Sequence, residues 1–486
     1  MWRTYVICVL VGLLLVSTGS NILMTRQLLA QQSDTDKLRA RLTAAETQQN
    51  RLQQQLDQLQ IAGGTAGSGT TAQGTPGTVA GQTGAGAPAA PVPTLGASTA
   101  SGVNGALLQQ IEDDVTGLRG LAPLREVPLR FLDQAALQRF LVDRFNQDYL
   151  PSERESDQKL LSTLGLIDPN ENVVQTLLDV LQEQVIGVYN QDDKVMYLVA
   201  DRSEFGPDEK DTFAHEFTHA LQDQYFDLSK LAPKHSANDD RALAIMALAE
   251  GDAVLMQRLW AQEKLSQAEL SQLGRGGADS KLFSAPLFLR EQLLFPYVDG
   301  FNFVRQLYQS GGGYPAVDEV FKNPPESTEQ ILHPEKYRSH EKPIEVSLAD
   351  LSLTLGSGWR KINSNVLGEL DLRLILQQLT DRTRAVRGAS GWGGDRWQLL
   401  EKDGKQAVVI KSVWDSDNDA KNFFDAMGVG LKQRFFGAKE EESSATRQAL
   451  TASTGATELR RNGVNVLVVI SFDRPSAEAI VSAVGS

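Results

Sequence analysis

Hydrophobic positions change their spacing several times along the chain, and each change predicts a different kind of structure. Residues 4–24 form a run of 21 mostly apolar positions, about 30 Å long as a helix and so able to cross a bilayer core. The strictly apolar part, Tyr5 to Val16, is shorter and follows Arg3. It also fits a signal peptide cleaved before Ser20, since Ser17 and Gly19 are suitably small. Leu38, Leu42, Ala45, Gln49, Leu52, Leu56 and Leu59 then alternate by four and three residues. That spacing predicts a modest coiled coil with one polar interruption, or a single amphipathic stalk helix. So strong a helix pattern directly downstream favours an uncleaved anchor, and a coiled coil would make a homo-oligomer. From Gly63 to Gly102 the periodicity stops in a stretch rich in Gly, Ala, Thr, Ser and Pro without a single charge. Such a segment cannot bury a core and would act as a flexible tether of about 35 Å r.m.s. span.

Packed structure is expected from about Leu107. Val127 to Leu132 reads as a strand, with Gln134 to Tyr149 and Asn172 to Gln184 as helices. Val185 to Tyr189 and Lys194 to Ala200 alternate like a hairpin turning at Asn190-Gln191-Asp192-Asp193, and they lead into a helix that starts near Pro207. Beyond Arg382, Arg396 to Leu400 and Ala407 to Val413 read as a hairpin turning at Lys402-Asp403-Gly404. A helix from Asp417 to Phe435, a second hairpin through Arg460 to Phe472 and a short last helix complete the chain. The fold class is α+β. The expected divisions are an anchor or signal segment (1–26), a coiled-coil stalk (27–61), a linker (62–104), a larger domain (105–385) and a small α+β domain (386–486). Trp392, Trp397 and Trp414 fall in the last of these, where core packing is the default and a glycan- or peptide-binding surface the alternative.

The chemistry sits on the helix from Pro207. His215-Glu216-Phe217-Thr218-His219 is an HExxH motif. A helix puts residues i and i+4 on one face, so both imidazoles can reach one ion about 2 Å from each ring nitrogen. Glu216 lies beside that face, where it can serve a water instead of the metal. The chain has only 5 His, so a chance pair at this spacing with Glu second is rare. Two solvated histidines on an ordinary amphipathic helix are the plainer reading. Against it, Phe213, Phe217, Ala220 and Leu221 form an apolar stripe that buries the helix. The implied ion is Zn2+, and a catalytic zinc usually takes three protein ligands.

An extended HExxHxxGxxH motif is excluded, because the positions it needs hold Gln222 and Tyr225. His235 sits in a segment that reads as loop. Glu250 is the better third ligand. It lies in the apolar run Ala242 to Met256 with Asp252 as the only other charge, and a carboxylate buried there needs a metal or a partner such as Arg241 or Arg258. Asn238-Asp239-Asp240 supplies the start of this helix, and Gly251 within it suggests a close helix–helix approach or a break.

His215 to Asp223 closely resembles the active-site helix of the thermolysin-like peptidases, the gluzincins, which pair HExxH with a Glu on a following helix. The resemblance implies a zincin-like metallopeptidase domain, with His215, His219 and Glu250 as ligands and Glu216 as general base. Asp223 matches an acidic position of that helix. The pattern departs where gluzincins carry Asp four residues after the third ligand: here Val254 stands, and Asp252 is the candidate to orient a ligand imidazole. Phe295-Pro296-Tyr297 and Pro325 to Pro334 look like phrases of poorly characterised bacterial membrane-anchored HExxH proteins. In zinc peptidases the strand before the motif helix forms the cleft rim, which would be Met196 to Val199 here.

A tetrahedral oxyanion calls for a second electrophile, with His333, Tyr297 and Tyr337 as candidates. Ser327 and Gln330 stand in capping-box register ahead of His333, so a helix-end role competes with catalysis there. The net charge of −14 argues against nucleic acid as a partner. No cysteine follows Cys8, and no lipobox precedes it, so neither disulfides nor a cysteine-based zinc latch is expected. Arg3 and the group Arg26, Lys37, Arg39 and Arg41 pull membrane orientation in opposite senses. An N-terminal segment followed by one large soluble part favours a single-pass protein with extracytoplasmic domains. Its substrate would be a protein or peptide. The alternatives are a catalytically silent membrane-anchored assembly protein and a zinc hydrolase of non-peptide amides.

Overall fold

A computed structural model of the protein describes residues 105–181, 186–199, 205–231, 237–273 and 281–485. The expected membrane segment, coiled coil and linker lie outside the described residues, as does His235. Among the described residues no helix is long and apolar enough to cross a membrane.

Helices dominate the first two thirds of this part. They are α1 (Gly105–Arg119), α2 (Gln134–Asp148), α3 (Pro151–Leu164), α4 (Val173–Leu181), α5 (Pro207–Phe226), α6 (Asp239–Lys264), α7 (Leu287–Gly311) and α8 (Tyr314–Lys322). A three-stranded sheet in the order β1-β3-β2 accompanies them, with β1 (Leu129–Leu132), β2 (Gly187–Asn190) and β3 (Val195–Val199). β3 is the middle strand, parallel to β1 and antiparallel to β2. α5 opens with Pro207 in its first turn followed by Asp208 and Glu209, which suit the positive end of the helix dipole. α6 is capped by the Asn238 side chain, which accepts from the Arg241 N–H.

Of the two expectations for Gly251, a close helix–helix approach or a break, the first holds and α6 runs unbroken. Gly251 and Gly300 let α6 and α7 touch backbone to backbone. A Cβ on Gly251 would lie 2.3 Å from the Gly300 carbonyl oxygen, and one on Gly300 would lie 2.1 Å from that of Ala247. The close approach is what keeps α6, the helix of Glu250, buried along most of its length.

The C-terminal part is a seven-stranded antiparallel sheet in the order β4-β5-β6-β10-β9-β8-β7. Its strands are β4 (Trp359–Asn365), β5 (Trp392–Lys402), β6 (Lys405–Trp414), β7 (Lys439–Ser443), β8 (Arg447–Ala452), β9 (Gly455–Asn462) and β10 (Asn465–Ser471). Helices α9 (Gly368–Leu379), α10 (Arg382–Ala389), α11 (Asp417–Arg434) and α12 (Arg474–Val484) complete it. The fold is α+β. The expected division at 385 and 386 falls between β4 and β5, which pair along their length. The turn between β5 and β6 is Asp403-Gly404, both with positive φ, as a two-residue hairpin needs. Trp392, Trp397 and Trp414 are all buried, so they are core and not a ligand surface.

Candidate metal centre

α5 and α6 pack so that three ligand-type atoms converge. His215 Nε2 and His219 Nε2 are 3.1 Å apart, and Glu250 Oε2 is 3.3 Å from each. A point about 2 Å from every corner of this triangle lies just off its plane, which is the distance zinc takes to His and carboxylate ligands. Glu250 Oε2 is buried with no hydrogen-bond partner among the described residues. Three atoms with lone pairs facing one another out of water fit a cation between them.

The site is deep. His215, Glu216 and Glu250 are buried, and His219 is the most exposed of the four at 9 %. Burial opposes charge on both sides of the site. It works against a charged His219, yet Glu250 raises that imidazole's pKa to about 9. The same burial would raise Glu250, but His219 and His215 hold it down at about 2. Glu250 faces these imidazoles, while Arg258, one of its alternative partners, lies over the Phe301 ring, 4.1 Å from its centroid.

Glu216 is held from the sheet. Its Oε2 accepts the backbone N–H of Tyr189 on β2 at 2.8 Å. Burial pushes its pKa up, against the pull of the neighbouring imidazoles. The strand beside the site is therefore β2, not β3, and the expectation for Met196 to Val199 is corrected. β3 is paired on both sides, so it has no edge to offer.

The two supporting acids behave differently from expectation. Asp252 does not touch an imidazole. Two residues after Glu250 it points around the helix, whereas position 254 would share the Glu250 face. It reaches His219 through Gln222, whose Nε2 donates to Asp252 Oδ2 at 2.9 Å while its Oε1 lies 2.9 Å from His219 Nδ1. Arg119, at the end of α1, donates from Nε to the same Asp252 oxygen at 3.2 Å. Asp223, a turn beyond His219, accepts from the Tyr189 hydroxyl at 2.8 Å and pairs with Lys194 at 2.7 Å. It fastens the β2–β3 hairpin to α5 and orients neither ligand.

His333 and Tyr337, the candidates for the second electrophile, each have a partner of their own. His333 Nε2 lies 2.9 Å from Glu369 Oε1, and its backbone ends the helix Thr328–Leu332. Burial opposes its charge, but Glu369 raises its pKa. Tyr337 donates to the Asn323 carbonyl, and Tyr297 is buried within α7. A second group of acids, Glu329, Glu341 and Asp415, also lies close together. The Lys336 ammonium sits among them, paired with all three, and takes the place a metal would have.

Sequence reasoning missed Gln222, Arg119 and the Tyr189 N–H. Gln222 had a signal, since it shares a helix face with His219 three residues earlier. Arg119 is 133 residues from Asp252, and a backbone N–H leaves no trace in side-chain identity.

Residues 355–481 match the family model for a domain of unknown function, DUF8575. The match spans the seven-stranded sheet and does not include the metal centre. No curated protein and no solved structure matches the chain.

Proposed function

We propose that this chain is a membrane-tethered zinc peptidase of the gluzincin type, with its catalytic domain outside the cytoplasm. The observation that carries the reading is the convergence of His215, His219 and Glu250 within 3.3 Å of one another beside Glu216. Zinc held there would supply Lewis acidity toward a peptide carbonyl and lower the pKa of a water. Glu216 takes the proton of the attacking water and returns it to the leaving amine. Its raised pKa suits both halves of that cycle, because a carboxylate that grips a proton too weakly is a poor base. The Tyr189 N–H fixes one of its oxygens and leaves the carboxylate one orientation. β2, at the end of its sheet and next to the motif helix, is the strand against which an extended substrate would lie. The membrane anchor and a homo-oligomeric stalk rest on the hydrophobic pattern of residues 4–59.

Glu216→Gln tests the chemistry. The variant should bind one zinc per chain and lose casein hydrolysis by roughly 100-fold or more. Full activity would remove the mechanism. Inertness of the zinc-loaded wild type toward a broad peptide library would favour an assembly protein. Membrane tethering is tested by carbonate extraction, which should leave the full chain in the pellet.

A further inference from the structure

A metal-binding imidazole needs its tautomer and ring angle set by whatever its other nitrogen meets, and the fold provides this for one of the two. His215 Nδ1 is buried without a hydrogen-bond partner among the described residues. His219 Nδ1 meets Gln222 Oε1 at 2.9 Å. Both protons of the Gln222 amide have acceptors, the Ala249 carbonyl and Asp252 Oδ2, each at 2.9 Å. The amide therefore cannot flip without facing its oxygen to an acid and a carbonyl, so its oxygen faces the ring and Nδ1 must donate. In the neutral ring Nε2 then carries the lone pair, which points toward Glu250 and His215. Asp252 is fixed in turn by Arg119, whose Nη2 lies 2.7 Å from Asp318 and whose guanidinium stacks over Tyr314 at 4.4 Å. The Arg119 and Asp252 side chains are fully buried.

We propose that Arg119, Asp252 and Gln222 are positioning residues forming a relay that presents His219 to the metal, and that through Arg119 the relay makes α1 a part of the metal centre. This rests on the reading of His215, His219 and Glu250 as ligands. α1 is the first helix of the described residues, and Arg119 stands at its C-terminal end. Each member acts through the next, and only Gln222 touches a ligand.

The test uses the full chain in detergent and measures zinc affinity by chelator competition, with the visible spectrum of the Co2+ form as a second readout. Gln222→Leu should weaken zinc binding by about 10- to 100-fold and alter the Co2+ spectrum. Arg119→Lys, which keeps the charge but loses the planar fork, should cause a smaller loss. The double variant should bind no more weakly than Gln222→Leu alone, because the arginine has no route to the metal once the amide is gone. A purely structural role would lower the melting temperature in chelator while zinc affinity and the Co2+ spectrum stayed as in wild type. That result overturns the relay and leaves the metal centre standing. A wild type that binds no zinc overturns both.

Discussion

Asp223 and Asp252 look alike in the sequence, as acids near a ligand on a buried helix, and side-chain reach alone separates them. Asp223 holds Tyr189 and Lys194, whereas Asp252 holds Gln222. Their substitution should therefore fail in different ways. Asp223→Ala strands the buried Tyr189 hydroxyl, which costs about 1–3 kcal/mol. It should lower the unfolding midpoint in denaturant while zinc stoichiometry and affinity hold. A loss of zinc affinity as large as that of Gln222→Leu would show that Asp223 serves the metal after all. The HExxH triplet and Glu250 were legible because helical spacing and the cost of burying a carboxylate each leave a mark on the sequence. A histidine near a capping motif, as His333 is, carries the same letters whether its ring meets a substrate or a carboxylate such as Glu369.

Between elements, glycine substitution separates backbone propensity from packing. Replacing a helical glycine by alanine gains up to about 1 kcal/mol of propensity. At Gly117, exposed on α1 with nothing within 4 Å of the new Cβ, that gain should appear nearly whole as a higher melting temperature. At Gly251 the Cβ would fall 2.3 Å from a backbone oxygen that no rotamer change can move. Overpacking of this kind costs about 1–3 kcal/mol, sometimes more, so the sign should reverse. Because Glu250 precedes Gly251, separation of α6 from α7 should weaken zinc binding too. A Gly251→Ala protein as stable and as avid for zinc as wild type would show that the helices do not depend on this contact. The sequence announced the crossing through one glycine in an apolar run, and announced the β5–β6 hairpin through Asp403-Gly404. It concealed β7, where Lys439-Glu440-Glu441-Glu442 is mostly exposed on the end strand of the sheet. Charge there blocks edge pairing and erases the alternation by which strands are recognised. β4 was hidden likewise, being polar along most of its length.

The molecule as a whole buries more carboxylates than the candidate metal centre holds, and this sets an unusual dependence of stability on pH. Burial raises Asp395 to about 6, Glu112 to about 7, and Asp211 and Glu329 to about 8, and it raises Asp240 as well. A folded pKa above the unfolded value means that the folded state holds the proton more tightly. The stability so contributed is complete below about pH 4 and is lost as pH rises through the folded values, toward about 8. Glu250 runs the other way: depressed to about 2, it contributes above its unfolded pKa and fails only as pH falls below about 4. In chelator, the melting temperature should therefore peak near pH 5 and decline by several degrees toward pH 8, with the accumulating negative charge adding to the fall. Zinc should act in the opposite sense. It competes with the proton that Glu250 keeps on His219, so its stabilising effect grows as pH rises toward about 9. Melting curves from pH 4 to 9, with and without zinc, should diverge steadily on the alkaline side. Parallel curves would mean that the ion does not displace a proton from His219, and a chelated protein most stable at pH 8 would mean that the buried acids ionise without cost.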